Sequence, residues 1–126
     1  MIKVVAAIIE KDGRYLVCKR GPGGNCPFLF EFPGGKIEEG ETPFEAITRE
    51  IKEELSADIL PTEIFEEYEY SYPEKDIYFY FIKAKLLSEE ILPTFHTEIK
   101  WLLPAELETV EYCPADLSTV KKLKGI

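Results

Sequence analysis

The chain has 126 residues, of which 45% are hydrophobic and 13% aromatic, enough for one hydrophobic core and too few for two. Lys and Arg number 15 against 24 Asp and Glu, giving a formal charge of -9. That balance excludes a surface built to attract a nucleic-acid polymer or an anionic membrane, but admits a mononucleotide if a metal cation intervenes.

Residues 2 to 10, rich in Val and Ile, and the run Arg14 to Lys19 flank Asp12-Gly13, which predicts a β-hairpin. Gly21 to Pro27 (GPGGNCP) cannot continue either strand and is expected as a surface loop. Phe28 to Phe32 resumes extended structure and ends at Pro33-Gly34-Gly35, where a special turn is required. Thr42-Pro43-Phe44-Glu45 carries an N-cap, a proline at the first helical position and a capping box, so a helix runs from about Pro43 to Leu55. Its apolar stripe is Phe44, Ile47, Ile51 and Leu55.

Residues 63 to 72 and 76 to 86 read as aromatic-rich strands joined by Pro73-Glu74-Lys75. In the second, Ile77, Phe79 and Phe81 alternate with Tyr78, Tyr80, Ile82 and Ala84, so both faces are covered and the strand is expected near the middle of a sheet. Glu98 to Leu102 is a short strand, Pro104 to Leu107 a helical turn, and Pro114 to Leu123 a second helix. Strands on both sides of one internal helix indicate an α/β fold of the α+β type, a mixed sheet between helices. The longest apolar runs are far shorter than the roughly 20 residues that cross a bilayer. With no signal-peptide layout after Met1, a cytoplasmic protein is expected. Cys18, Cys26 and Cys113, odd in number and without C-x-x-C spacing, are read as free thiols.

The chemistry concentrates on the first helix. Glu50, Glu53 and Glu54 stand at i, i+3 and i+4, which brings three carboxylates onto one patch. Glu54 points close to the apolar stripe, a poor place for a solvated charge, so a cation is expected there. Hard oxygen donors suit Mg2+, with Mn2+ as a substitute, and the sole histidine, His96, cannot build a zinc site. Glutamate on a helix is ordinarily a solvated face. What weakens that reading is the wider spacing: Gly35, five residues, Glu41, seven residues, then Arg49-Glu50-Ile51-Lys52-Glu53-Glu54.

Gly35 to Ala57 (GKIEEGETPFEAITREIKEELSA) resembles the Nudix box, G-x5-E-x7-R-E-U-x-E-E-x-G-U with U aliphatic. It departs at the end, where Ser56 stands for the usual Gly and Ala57 for the last aliphatic residue. The departure touches the helix cap, not the carboxylates. Phe30 to Lys36 before the box, and Trp101 with Pro114 to Leu117 after it, are similar to the MutT-like branch. The resemblance implies an α/β/α sandwich, one Nudix domain over residues 1 to 126, and cleavage of a nucleoside triphosphate to a monophosphate and pyrophosphate.

The same resemblance implies the roles. Glu50, Glu53 and Glu54 bind Mg2+, helped by the backbone at Gly35 and by Glu98, which precedes Trp101. Glu50 is the leading residue to activate water, with Glu53 and Glu98 as rivals. Arg49 holds Glu50 and pairs with Glu41, against the alternative of an ordinary surface ion pair. For substrate, Arg20 is a candidate to meet phosphates or a base edge, Lys36 to meet phosphate, and Gly34 to bring backbone close to metal or phosphate. Phe32 and Tyr80 are candidates to pack on the base, and Asp116 to meet its edge. An ionised Asp116 would only accept hydrogen bonds and so favour cytosine. The expected substrate is a small nucleotide, 8-oxo-dGTP or a cytidine nucleotide, bound by a monomer or homodimer without nucleic acid or membrane. Other Nudix substrates, such as ADP-ribose or a dinucleoside polyphosphate, and non-catalytic nucleotide binding are the alternatives.

Overall fold

A computed structural model describes residues 1–125. Strands β1 (Ile2–Lys11) and β2 (Arg14–Lys19) form the expected hairpin. Asp12 and Gly13 both adopt positive φ, 52° and 77°, as a two-residue turn of matching twist requires. Then come β3 (Phe30–Glu31), β4 (Gly34–Lys36), helix α1 (Pro43–Leu55), β5 (Ile59–Tyr72), β6 (Lys75–Leu86), β7 (Glu98–Leu102) and helix α2 (Leu117–Leu123). The sheet order is β3-β2-β1-β6-β5, with β4 paired to β1 and β7 to β2. The β1 to β6 pairing is parallel and the others among these strands antiparallel, so the sheet is mixed.

β6 lies between β1 and β5, and its alternation splits the core into two layers. Ile77, Phe79 and Phe81 join Ala6, Ile8, Val17, Leu107 and Val120 on the α2 face. Ile82 and Ala84 join Val5, Ile9, Ile47, Ile51 and Leu55 on the α1 face. Fully burying side chains of this size contributes roughly 1.5–3 kcal/mol each, which ties α1 to the sheet. The edge strand β5 carries Pro61 and two register shifts, features that discourage pairing with a further strand.

α1 starts as predicted: Glu45 N–H donates to Thr42 Oγ1 at 3.1 Å and Thr42 N–H to Glu45 Oε1 at 2.9 Å. Several expectations need correction. Phe44 is 37% exposed, beside Leu60 and Pro61 of β5, and Ala46 takes its place in the buried stripe. Phe28 sits at φ 62°, which confines the extended run to Phe30–Glu31. β5 begins at Ile59, and Tyr72 already pairs with Lys75, leaving Pro73-Glu74 as the turn. Pro114–Asp116 is a tight 3-10 turn before α2, and Leu117 is exposed. The helical turn after Pro104 runs to Thr109. All three cysteines are free and buried.

Ser56 caps α1 in the left-handed conformation, φ 52° and ψ 37°, with its N–H on Lys52 O. A side chain there costs energy that glycine does not. Ser56→Gly is expected to stabilise the protein by about 0.5–1 kcal/mol, raising the thermal midpoint by roughly 2–5 °C; an unchanged or lowered midpoint contradicts this.

Candidate active site

Two glycines bring α1 and the sheet into contact at the site. A Cβ on Gly34 would lie 1.8 Å from Val5 O, so the β1 to β4 pairing has no room for one. A Cβ on Gly35 would lie 2.4 Å from the Glu50 carboxylate, so this glycine makes the space into which Glu50 reaches. The Gly34 N–H donates to Glu54.

Arg49 gathers the acids of one side. Its Nε and Nη2 donate to the two oxygens of Glu41 at 2.7 and 2.9 Å, and Nη1 to Glu50 Oε1 at 2.9 Å. Nη1 also reaches Glu53 at 3.3 Å, and Nη2 donates to Lys36 O at 3.0 Å. Hydrogen bonding to Arg49 holds Glu41 down at about 2. Arg49 thus holds Glu50, as expected, while Glu53 is mostly solvent-exposed. Among the described residues no three His, Cys, Asp or Glu side chains are gathered into a ready metal cage. Helical spacing puts the three acids on one patch, and Arg49 then draws Glu50 and Glu53 to itself.

Glu54 is different. Its Oε1 is buried and has no hydrogen-bond partner among the described residues. Burial, followed by the nearby charges of Glu31 and Glu50, pushes its carboxyl up to about 8, against the pull of Gly34 N–H and Arg20. An unpartnered buried oxygen, an adjacent carboxylate in a glycine-made recess and a donor set of hard oxygens fit a divalent cation such as Mg2+.

Glu31 is the residue that sequence reasoning missed. It pairs with Cys18 across β2 and β3, which places it on the α1 face between the buried Phe30 and Phe32. Arg20 Nη1 donates to its two oxygens at 3.1 and 3.3 Å. A lone charge between two core aromatics at strand alternation was the available signal.

A cleft of about 200 Å³ runs beside these acids, lined by Arg20, Glu31, Phe32, Gly34, Gly35, Lys36 and Asp116, with Cys26, Tyr72 and Cys113. Phe32 is buried and packs on Tyr112 and Phe81, so most of its ring belongs to the core. Asp116 is 4% exposed, and its Oδ2 accepts from Phe32 N–H at 2.8 Å. Burial, reinforced by Glu31, pushes Asp116 well above the usual carboxylate range. The expected lean toward cytosine presupposes an ionised Asp116, and burial works against that form. Tyr68 Oη donates to Ala115 O, and Glu66 accepts from Ser118 and Thr119, so the Asp116 segment is fixed to β5.

Two expected residues lie elsewhere. Tyr80 packs on the α1 layer, where it lines a separate cavity with Lys3, Lys36 and Glu41, away from Asp116. Strand alternation is the reason, since Phe79 and Phe81 occupy the α2 face. Glu98 opposes Lys19, points to the face opposite Ile99 and Trp101, and lies 3.8 Å from Lys100 Nζ. The structure does not bring it to Glu50 and Glu54.

A sequence model of the NUDIX domain matches residues 1–123. The chain belongs to the Nudix family. Within it, the chain is 33% identical over 127 residues to an 8-oxo-dGTP diphosphatase of Haemophilus influenzae, covering 98% of this chain and 91% of that protein. It is 31% identical over 126 residues to a CTP pyrophosphohydrolase of Escherichia coli K12, covering 100% and 93%. The fold matches a MutT Nudix hydrolase from Burkholderia pseudomallei with a TM-score of 0.87 over 95% of each chain, at 22% identity. Among the described residues no helix is long and apolar enough to cross a membrane.

The raised Glu54 carboxyl makes a stability prediction for the metal-free protein. The folded state keeps a proton up to about pH 8 that the unfolded chain sheds above about 4.5, so stability falls as pH rises across that window. Glu54→Gln is expected to leave stability nearly unchanged at pH 4.5 and to increase it at pH 8.5 by of order 1–3 kcal/mol, read as a higher thermal midpoint there. Parallel midpoint curves for the two proteins would refute this assignment.

Proposed function

We propose that this chain, as a single Nudix domain, hydrolyses a nucleoside triphosphate of the 8-oxo-dGTP or (d)CTP type to a monophosphate and pyrophosphate with Mg2+. The observation that supports it most is the continuity of one cleft from Gly35 and Lys36, beside the helix acids, to Asp116 and Phe32. Phosphates and base would then occupy opposite ends of a single mononucleotide. The names of the relatives point the same way, one to an oxidised purine nucleotide and one to CTP.

Glu50 and Glu54, with Glu53 and the Gly35 backbone, would hold the cation. When bound, it neutralises charge on phosphate oxygens and acidifies water. The chain's own residues do the rest. Arg49 fixes Glu50 so that its free oxygen can take a proton from water. Arg20 and Lys36 offer positive charge along the cleft to the phosphates, and Gly34 and Gly35 let the backbone approach them. At the other end Asp116, held by Phe32 N–H, meets the base edge. The box carboxylates are all present, which favours hydrolysis over mere binding. The reading places the protein, as monomer or homodimer, in the soluble nucleotide pool of the cytoplasm.

Pyrophosphate release from a panel of (d)NTPs and oxidised forms tests this directly. Activity is expected with Mg2+ or Mn2+ and none with EDTA. Glu50→Gln is expected to lower kcat by at least ~100-fold with an unchanged circular dichroism spectrum. Asp116→Asn is expected to alter the ranking of bases more than the overall rate. Silence across the panel would favour a nucleotide-binding role, and near-normal turnover by Glu50→Gln would move the base elsewhere.

A further inference from the structure

Residues 91 to 97 form a strap from the C-terminal end of α1 to β2. Leu92 N–H donates to Leu55 O at 2.8 Å, and Thr94 N–H to Glu54 O at 2.8 Å. Thr94 Oγ1 donates to Glu53 O at 2.8 Å, and Thr97 N–H to Lys19 O at 3.0 Å. Fixed at both ends, the strap delivers His96 beneath the cleft with its side chain fully buried. The ring Nε2–H donates to Glu31 Oε2 at 2.9 Å. Nδ1 is buried and has no partner among the described residues.

Packing alone does not explain a histidine here. A buried ring nitrogen without a partner costs roughly 1–3 kcal/mol, and phenylalanine would occupy similar space without that cost. What histidine adds is its hydrogen bond to Glu31. Glu31 is held from its other side by Arg20, whose guanidinium lies 5.7 Å over the Phe95 ring. Glu31 lines the same cleft as Gly35 at the helix-acid end and Asp116 at the base end, and its charge acts on both Glu54 and Asp116.

We propose that His96 is a positioning residue: by fixing Glu31, it holds the Glu31 and Arg20 pair in register between the helix carboxylates and the nucleotide cleft. The proposal rests on the hydrolase reading above. Without the His96 bond, Glu31 is free to turn about its side-chain torsions and Arg20 loses a fixed partner. Groups that orient a metal site from outside it are worth about 10–100-fold in affinity or activity when removed.

The test uses the full chain and the variants His96→Phe, His96→Gln, Glu31→Gln and the double variant His96→Phe with Glu31→Gln. Three quantities are read: thermal midpoint, Mn2+ affinity by electron paramagnetic resonance without nucleotide, and kcat on the best triphosphate. His96→Phe is expected to keep or raise the midpoint while weakening Mn2+ binding and lowering kcat, each by about 10-fold. His96→Gln, which keeps an N–H donor, is expected to recover most of both. The double variant is expected to be no worse than the weaker single one, because the two residues act as one unit. Wild-type Mn2+ affinity and kcat in His96→Phe would overturn the proposal. So would losses that follow a fallen midpoint, a Gln variant as impaired as Phe, or additive losses in the double variant. If no triphosphate is hydrolysed by the wild type, the substrate reading fails, and the Mn2+ measurement alone still decides the role of His96.

Discussion

Like charges held close together in a partly desolvated recess are the constraint on which the rest of this structure depends. The charges of Glu31 and Glu50 both act on Glu54, which carries an oxygen with no partner among the described residues. Such an arrangement costs stability in the isolated chain. The protein offsets it in part with two arginines, Arg49 on the Glu41 and Glu50 side and Arg20 on the Glu31 side. On the proposed reading the remainder would be met by a cation, which would tie affinity for a divalent ion to the same repulsion that weakens the metal-free fold.

The fold makes this recess by subtraction. Glycine at positions 34 and 35 removes two Cβ atoms that would strike Val5 O and the Glu50 carboxylate. The helix cap at Thr42 and the buried stripe of Ala46, Ile47, Ile51 and Leu55 then fix the rotation of α1, so that Glu50 and Glu54 face the sheet while Glu53 faces outward. Packing thus sorts three glutamates of one motif into different environments. It also explains why Glu54 is strongly shifted.

Much of this was legible in the sequence, because the signals were local. The hairpin at Asp12-Gly13, the capping box, the two faces of β6 and the acid spacing on α1 each depend on periodicity or turn chemistry within a few residues. The errors came where distant elements decide. Phe44 fits the helical stripe, but it lies at the rim beside the exposed Leu60 and is itself partly exposed. Tyr80 has an aromatic ring at strand spacing, yet the face it occupies follows from β6 lying between β1 and β5. Glu31 becomes significant only when β3 pairs with β2 opposite Cys18, and Asp116 is buried only when the chain folds over it. Glu98 has the acidic character expected of a ligand, and the register of β7 on β2 turns it to the other face.

The central claim is that the recess bounded by Gly35, Glu50 and Glu54 takes up a divalent cation. Trace Mn2+ added to the 15N-labelled protein tests it most directly, since a bound paramagnetic ion broadens nearby amide signals first. The account predicts selective loss of the signals of Gly34, Gly35, Glu50 and Glu54, reversed by excess Mg2+. Uniform weak broadening over the acidic surface, with those four no more affected than the glutamates of β5, would contradict it.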